Sequence, residues 1–196
     1  MHNIGNDIVD LNLAKIESNW QRKGFLEKQF TQKEQDEILS SENPFLKVWL
    51  FWSMKEAAYK CYTQKFKERF FAPRKFECTA ITKDKGMVVF EENTFYTVSI
   101  FNAFYISTIA REKKEETVIF SAIVLPSEID LDLKIKLAAI RGVSYKGIEK
   151  RKTTIGAPLF YYQEELLTTS CSISHHGNYG AYAFNLGSKS HTYIKI

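Results

Sequence analysis

The sequence predicts an α+β fold with two related lobes, each a small antiparallel sheet packed with helices. Two observations lead to this prediction. The first part of the chain has the pattern of a strand, then helices, then a run of strands, and after Pro126 helical and then strand-like patterns follow again. At 196 residues the chain is long enough for two small lobes that share a core. We therefore predict a pseudo-dimer with lobes at residues 1–126 and 127–196.

In the first lobe, local signals define the helices and the spacing of apolar residues defines the strands. Thr31 and Glu34 form a capping-box pattern, and Pro44 suits the first turn of a helix. β-branched and aromatic residues dominate after residue 75, as is typical of strands. The predicted elements are a strand at residues 4–11, helices at 31–39 and 44–63, and four strands between 75 and 125.

In the second lobe, Leu133, Leu137 and Ile140 recur at helical spacing, and Gly142 is suited to end that helix. A loop with a basic cluster follows. The remaining predicted elements are a short helix near residues 160–167 and strands near 171–174, 181–186 and 193–196.

The charge of the chain is mildly basic and uneven. The net charge is +4, and residues 141–152 carry five basic residues and one acid. Such a cluster suits a phosphate-rich ligand or an acidic protein, although a solvated basic loop explains it as well. Because there is no motif that reads nucleic acid and charge elsewhere is balanced, we expect no nucleic-acid partner.

The cysteines and the apolar runs bear on the compartment. The three cysteines are widely spaced without a CxxC motif, which predicts reduced thiols rather than a disulfide framework or a zinc site. The N-terminal residues lack the pattern of a signal peptide, and the longest apolar runs are shorter than the roughly 20 residues of a membrane span. We expect a cytoplasmic protein without a membrane partner.

Asp7 lies in the otherwise apolar predicted strand at residues 4–11. A carboxylate in such a strand is costly unless it has a partner, and a bound cation is a suitable one. The alternative is a turn aspartate that caps backbone amides. Either interpretation fits this segment alone.

Lys55, Glu56 and Lys60 lie on the second predicted helix among aromatic and small residues. Glu56 and Lys60 are one turn apart, so an ordinary salt bridge on a solvated face is one interpretation. The apolar neighbours leave little room for a solvated face. Two lysines and a glutamate on a mostly buried helix indicate a site for a metal ion and phosphates.

Ser174 and His175 close a predicted strand just before Gly177. They place hydroxyl and imidazole groups at a strand tip, where ligands often bind. A His-His pair is more often a surface feature, and its spacing is not that of a zinc motif.

Together these segments resemble the signatures of the 4′-phosphopantetheinyl transferase superfamily. The family pattern is Gly-x-Asp on a strand, Trp/Phe-Ser/Thr-x-Lys-Glu-Ala/Ser-x-x-Lys on a helix, and later Gly-Lys-Pro and Ser-Ile/Leu-Ser-His. This chain has GND at residues 5–7, WSMKEAAYK at 52–60, GAP at 156–158 and SISH at 172–175. The helical motif is the most specific, and the motifs bracket nearly the whole chain.

The resemblance implies an enzyme that transfers the 4′-phosphopantetheine group of coenzyme A to a serine of an apo acyl or peptidyl carrier protein. Its further implications are Mg²⁺ as cofactor, release of 3′,5′-ADP, and a fold of the same family. A non-catalytic relic that binds coenzyme A or a carrier protein is the alternative. A purely structural α+β domain is the third possibility, and three coincident motifs argue against it.

The resemblance also implies a role for each matching residue. Asp7 and Glu56 would coordinate Mg²⁺, and Glu56 would receive the serine proton. The phosphates would be contacted by two lysines, with the second near the reacting centre, and the nucleotide end by the strand-tip pair: Lys55, Lys60, Ser174 and His175.

Three departures from the family pattern stand out. Val9 occupies the place of a second carboxylate found in many longer members, with Asp10 one residue further on. Ala157 replaces the usual lysine, for which the basic run at residues 150–152 is a candidate substitute. The Ser-His segment follows the helical motif, as it does in the short members, whereas in the longer monomeric members it precedes the Gly-x-Asp strand. The length predicts a monomer with its site between the lobes.

Overall fold

Three antiparallel sheets and five α-helices make up the part of the chain that the computed structural model describes, residues 3–113 and 118–186. The α-helices are α1 Leu11–Glu17, α2 Phe25–Gln29, α3 Gln32–Leu39, α4 Pro44–Phe66 and α5 Ile129–Arg141. The strands are β1 Ile4–Asp10, β2 Glu77–Ala80, β3 Lys85–Phe90, β4 Asn93–Phe101, β5 Tyr105–Arg111, β6 Phe120–Val124, β7 Ile148–Lys152, β8 Pro158–Tyr162, β9 Glu165–Leu166, β10 Thr168–His176 and β11 Tyr179–Leu186.

The first sheet has the strand order β1-β5-β4-β3-β2 and is crossed by the long helix α4. Asn43 caps this helix by accepting a hydrogen bond from the backbone N–H of Leu46, and Lys67 ends it in a left-handed conformation. Gly5 allows β1 to lie against the helix, because a Cβ at this position would fall 1.9 Å from the carbonyl oxygen of Ala57. The closeness of β1 and α4 therefore depends on a missing side chain.

The second half of the molecule contains two three-stranded sheets and α5. One sheet has the order β10-β11-β6 and the other β7-β8-β9. Gly142 ends α5 at φ 72°, as the sequence predicted. The helix buries Leu133 and Leu137 against Tyr182 and Phe184 in a core separate from that of the first sheet. Two cores of sheet and helix confirm the predicted α+β fold class.

One predicted element is wrong. Residues 160–167, expected to form a short helix, lie in the hairpin of β8 and β9. Gln163 and Glu164 form its turn with φ of 47° and 66°, and β7 supplies backbone partners along β8. Since those partners come from elsewhere in the chain, the apolar spacing of this segment did not reveal them. The strand expected at residues 193–196 lies outside the described residues.

β6 lies before Pro126 in the chain but pairs with β11, not with the strands of the first sheet. Phe120, Ala122 and Val124 accordingly pack against the second core. The division of the lobes at residue 126 stays a prediction. Of the helices in the described ranges, none is both long and apolar enough to cross a bilayer.

Candidate active site

Asp7 and Lys60 meet where β1 crosses α4. The Nζ atom of Lys60 lies 2.9 Å from Oδ1 of Asp7 and 3.0 Å from the backbone oxygen of Asn6. Asp7 is only 8% exposed, while Lys60 is partly exposed. Glu56, one helical turn before Lys60, points toward the same region. The ion pair of Lys60 is thus formed with Asp7, not with Glu56 as the salt-bridge interpretation required.

Strand β10 of the second lobe covers the outer edge of β1 with side chains. The hydroxyl of Ser170 accepts from the backbone N–H of Ile4 at 3.0 Å, and that of Ser172 from the N–H of Asn6 at 2.9 Å. These amides lie on a buried strand edge, where an unpaired N–H would be costly. Alternate residues of β10 therefore join the two lobes at the strand that carries Asp7.

The same row of alternate residues continues with Ser174 and His176. Ser174 accepts a hydrogen bond from the side-chain amide of Asn6 at 2.8 Å, and Nδ1 of His176 accepts from the backbone N–H of Asp10 at 2.9 Å. Ser174 is buried and holds Asn6. His175, on the opposite face of the strand, is exposed. The expected contact of Ser174 and His175 with a nucleotide stays a prediction.

The predicted residues from three segments line one cavity of about 220 Å³. Asp7 comes from β1, Glu56 from α4 and His175 from β10, and Trp49 and Trp52 form an aromatic wall. The tertiary structure thus brings together Asp7, Glu56 and His175, with Lys60 bound to Asp7 beside them.

The electrostatics of this cavity favour a cation. Burial raises the pKa of Asp7, and Lys60 only partly offsets this. Burial also raises the pKa of Glu56, to about 7, and the negative charge of Asp7 adds to the effect. Two carboxylates that repel each other in a buried site are stabilised in their charged forms by a cation placed between them.

These two carboxylates fit Mg²⁺, which proteins commonly bind with one or two carboxylates plus phosphate and water. Residues 3–113 and 118–186 contain no cluster of three or more Asp, Glu, His or Cys side chains with metal-binding geometry. Asp10 is not a further ligand, since its carboxylate caps α1 and accepts the N–H of Asn178. Burial would raise the pKa of Asp10, but its backbone hydrogen bonds outweigh that effect and lower it.

The structure does not bring Lys55 to this group. Lys55 is 1% exposed, and its ammonium donates to Glu34 at 2.8 Å and to the backbone oxygen of Phe76. Contact of Lys55 with a phosphate stays a prediction, and its ammonium donates to partners inside the first lobe instead of facing the cavity of Asp7 and Glu56. Its neighbour Glu56 faces the cavity since consecutive helical residues are about 100° apart.

A second cavity, of about 340 Å³, lies between the lobes beside Lys60. One wall is α4 together with Arg69, and the opposite wall includes residues 156–158 and 171–173. The Gly-x-Pro segment is thus brought to α4, the helix that carries Glu56 and Lys60.

Several residues at the two cavities and at the junction of β1 and β10 were not given a role from the sequence: Asn6, Ser170, Ser172 and Arg69. The strict alternation Ser170, Ser172, Ser174 on a predicted strand is the signal that marks one face of β10. Nothing near Arg69 in the sequence marks it.

Comparisons with known proteins identify the family of the chain. A family model described as the 4′-phosphopantetheinyl transferase superfamily matches residues 3–118, which include Asp7, Glu56 and Lys60. A comparison with curated proteins finds no match. Among solved structures, the chain is similar to the holo-[acyl-carrier-protein] synthase of Thermotoga maritima, with 12% identity, a TM-score of 0.45, and coverage of 81% of this chain and 82% of that one. Because the family model spans more than half of the sequence, the chain belongs to the 4′-phosphopantetheinyl transferase superfamily and is a transferase of that kind.

Proposed function

We propose that the protein transfers the 4′-phosphopantetheine group of coenzyme A to a serine of an apo acyl or peptidyl carrier protein, with Mg²⁺ as cofactor. The observation that carries the proposal is the convergence of Asp7, Glu56 and His175, from three distant segments, on one cavity next to Lys60. A phosphoryl-transfer site needs this combination of anionic metal ligands and cations. A purely structural domain has no need for a buried carboxylate, that of Asp7, next to the partly buried carboxylate of Glu56.

Each residue of the cavity has a chemical task in this reaction. Asp7 and Glu56 would hold Mg²⁺, and the bound ion would neutralise charge on the pyrophosphate of coenzyme A. Lys60, which is bound to Asp7 and lines the neighbouring cavity, would donate to phosphate oxygens near the reacting centre. His175 would bind the nucleotide end of coenzyme A, while Ser174 holds Asn6 on the opposite face of β10.

The bond changes follow from this arrangement. The carrier serine oxygen forms a bond to the β-phosphorus, and the bond from that phosphorus to the bridging oxygen breaks. The leaving group is 3′,5′-ADP. The serine proton passes to Glu56, directly or through one water molecule.

Both cavities are formed within one chain, which supports the proposal of a monomer with its site between the lobes. Sedimentation that revealed an obligate trimer would contradict it. Three buried free cysteines support the proposed cytoplasmic location.

The deciding experiment mixes the protein with coenzyme A, Mg²⁺ and an apo carrier protein and weighs the carrier by mass spectrometry. We expect the carrier to gain the mass of one phosphopantetheine group on its serine, and the gain to disappear with a chelator. Carrier proteins of fatty-acid, polyketide and peptide synthesis are compared side by side. Binding of coenzyme A without any transfer to the whole panel would favour the non-catalytic relic, to which Val9 and Ala157 point.

A further inference from the structure

The cavity between the lobes contains a cation that no sequence motif predicts. Arg69 follows the end of α4 and lines this cavity together with Lys60. The chain turns back after Lys67, and the backbone N–H of Phe70 donates to the hydroxyl of Tyr59 at 3.2 Å. This turn carries Arg69 alongside the helix instead of away from it.

Arg69 lies directly against the Gly-x-Pro segment of the opposite wall. A Cβ added to Gly156 would lie 2.9 Å from Nη2 of Arg69, which shows how closely the guanidinium approaches this segment. Gly156 also has φ of 79°, a conformation that other residues rarely adopt. The next residue, Ala157, supplies no charge of its own.

Two of the three cations that the sequence offered as substitutes at Ala157 are engaged elsewhere. Lys150 is 2.6 Å from Asp130, and Arg151 pairs with Glu149 and Glu164. Arg69, in contrast, enters no ion pair with any of the described residues and is exposed toward the cavity. Its donors are therefore available to a ligand.

We propose that Arg69 is a phosphate-binding residue and supplies the positive charge that the Gly-x-Pro segment lacks at Ala157. The inference rests on the proposed function, because it assigns the ligand as coenzyme A. An arginine forms two parallel hydrogen bonds with a phosphate, which makes it a stronger anchor than a single ammonium. The phosphate is either the pyrophosphate or the 3′-phosphate of coenzyme A, which share this chemistry.

The test is calorimetric binding of coenzyme A, with Mg²⁺ present, to the wild type and to R69A. We expect R69A to bind on the order of 10- to 100-fold more weakly, the loss of a charge-assisted hydrogen bond or two. R74A removes an exposed cation five residues along that does not line the cavity, and it should bind like the wild type. The double variant R69A/A157K returns a cation from the opposite wall and should regain affinity.

A second titration with 3′-dephospho-coenzyme A identifies the phosphate. A loss in R69A for both ligands assigns Arg69 to the pyrophosphate, and a loss for coenzyme A alone assigns it to the 3′-phosphate. Equal affinity of R69A and the wild type for coenzyme A would overturn the inference and leave the proposed function standing. A wild type that bound no coenzyme A would overturn both.

Discussion

Two lysines of helix α4 pair with carboxylates from other elements, and the two pairs differ in how completely their hydrogen bonds are satisfied. Lys55 pairs with Glu34, whose carboxylate also accepts the backbone N–H groups of Thr31 and Cys78. Lys60 pairs with Asp7, beside a second carboxylate, that of Glu56. The Lys55–Glu34 pair is buried from solvent, and its single negative charge is balanced by its single positive charge.

The second pair borders a cavity and carries an excess of negative charge. Burial raises the pKa values of both Asp7 and Glu56, and the charge of Asp7 raises that of Glu56 further. A structural ion pair satisfies its partners internally, whereas a functional one leaves charge to be neutralised by a ligand. The helical motif at residues 52–60 is therefore not a binding site along its whole length, because only its cavity-facing residues can bind a ligand.

The largest expected effect comes from replacing a carboxylate with its amide, once at the cavity and once in the buried Lys55–Glu34 pair. We expect E56Q, and equally D7N, to abolish carrier modification while the fold stays intact, because each removes a charge and almost no volume. E34Q should retain activity per folded molecule. Mass spectrometry of the carrier measures its modification, and circular dichroism measures whether each variant is folded. E56Q that melted early and yet modified its carrier at the normal rate would refute the assignment.

Ligand-dependent melting sharpens the same contrast. Without Mg²⁺, E56Q should be at least as stable as the wild type, because removing a carboxylate relieves repulsion. Mg²⁺ with coenzyme A should raise the melting temperature of the wild type but not of E56Q. An equal rise in both proteins would show that Glu56 does not take part in binding.

The next effect concerns stability. We expect E34Q to lower the free energy of unfolding by about 3–5 kcal/mol, because it leaves the Lys55 ammonium buried without its counter-charge. Urea unfolding measures the loss. The double variant E34Q/K55M removes both charges and should recover part of it. A loss below about 1 kcal/mol in E34Q, typical of an exposed pair, would contradict the burial of this pair.

The pH dependence of the metal-free protein comes third. The pKa of Glu56 is about 7 when folded against an ordinary 4.5, so the folded state holds the proton more tightly. Its contribution to stability is complete below about pH 4.5 and is lost as the pH rises through 7. Stability of the wild type should therefore fall between pH 5 and 8 by up to about 3 kcal/mol. Urea titrations of E56Q should show a smaller fall, and identical slopes would argue against a buried Glu56.

The smallest effect is expected at His175. Because the nucleotide end contributes similarly to ground and transition states, H175A should raise KM about tenfold and change kcat little. The change should be smaller with 3′-dephospho-coenzyme A. Steady-state kinetics with both substrates measure this, and equal losses would show that His175 does not contact the 3′-phosphate.

Local signals in the sequence were sufficient for much of the fold. The capping box of Thr31 and Glu34 is present with both hydrogen bonds, and Gly142 ends α5 as expected. These elements depend on residues close in the chain, so their patterns are visible without the tertiary structure. The family resemblance likewise pointed to Asp7, Glu56 and Lys60, which the structure brings together.

What only the tertiary structure decided depends on partners far along the chain. Helical spacing indicates that Lys55 and Lys60 lie on different faces of α4, but it does not show that the face of Lys55 is buried. The burial of Lys55 depends on Glu34 and on the backbone of Phe76, each 21 residues away from it. The serines of β10 reach β1 across 166 residues. Periodicity describes a face of an element, whereas packing determines what that face meets, and the role of each charged residue follows from the latter.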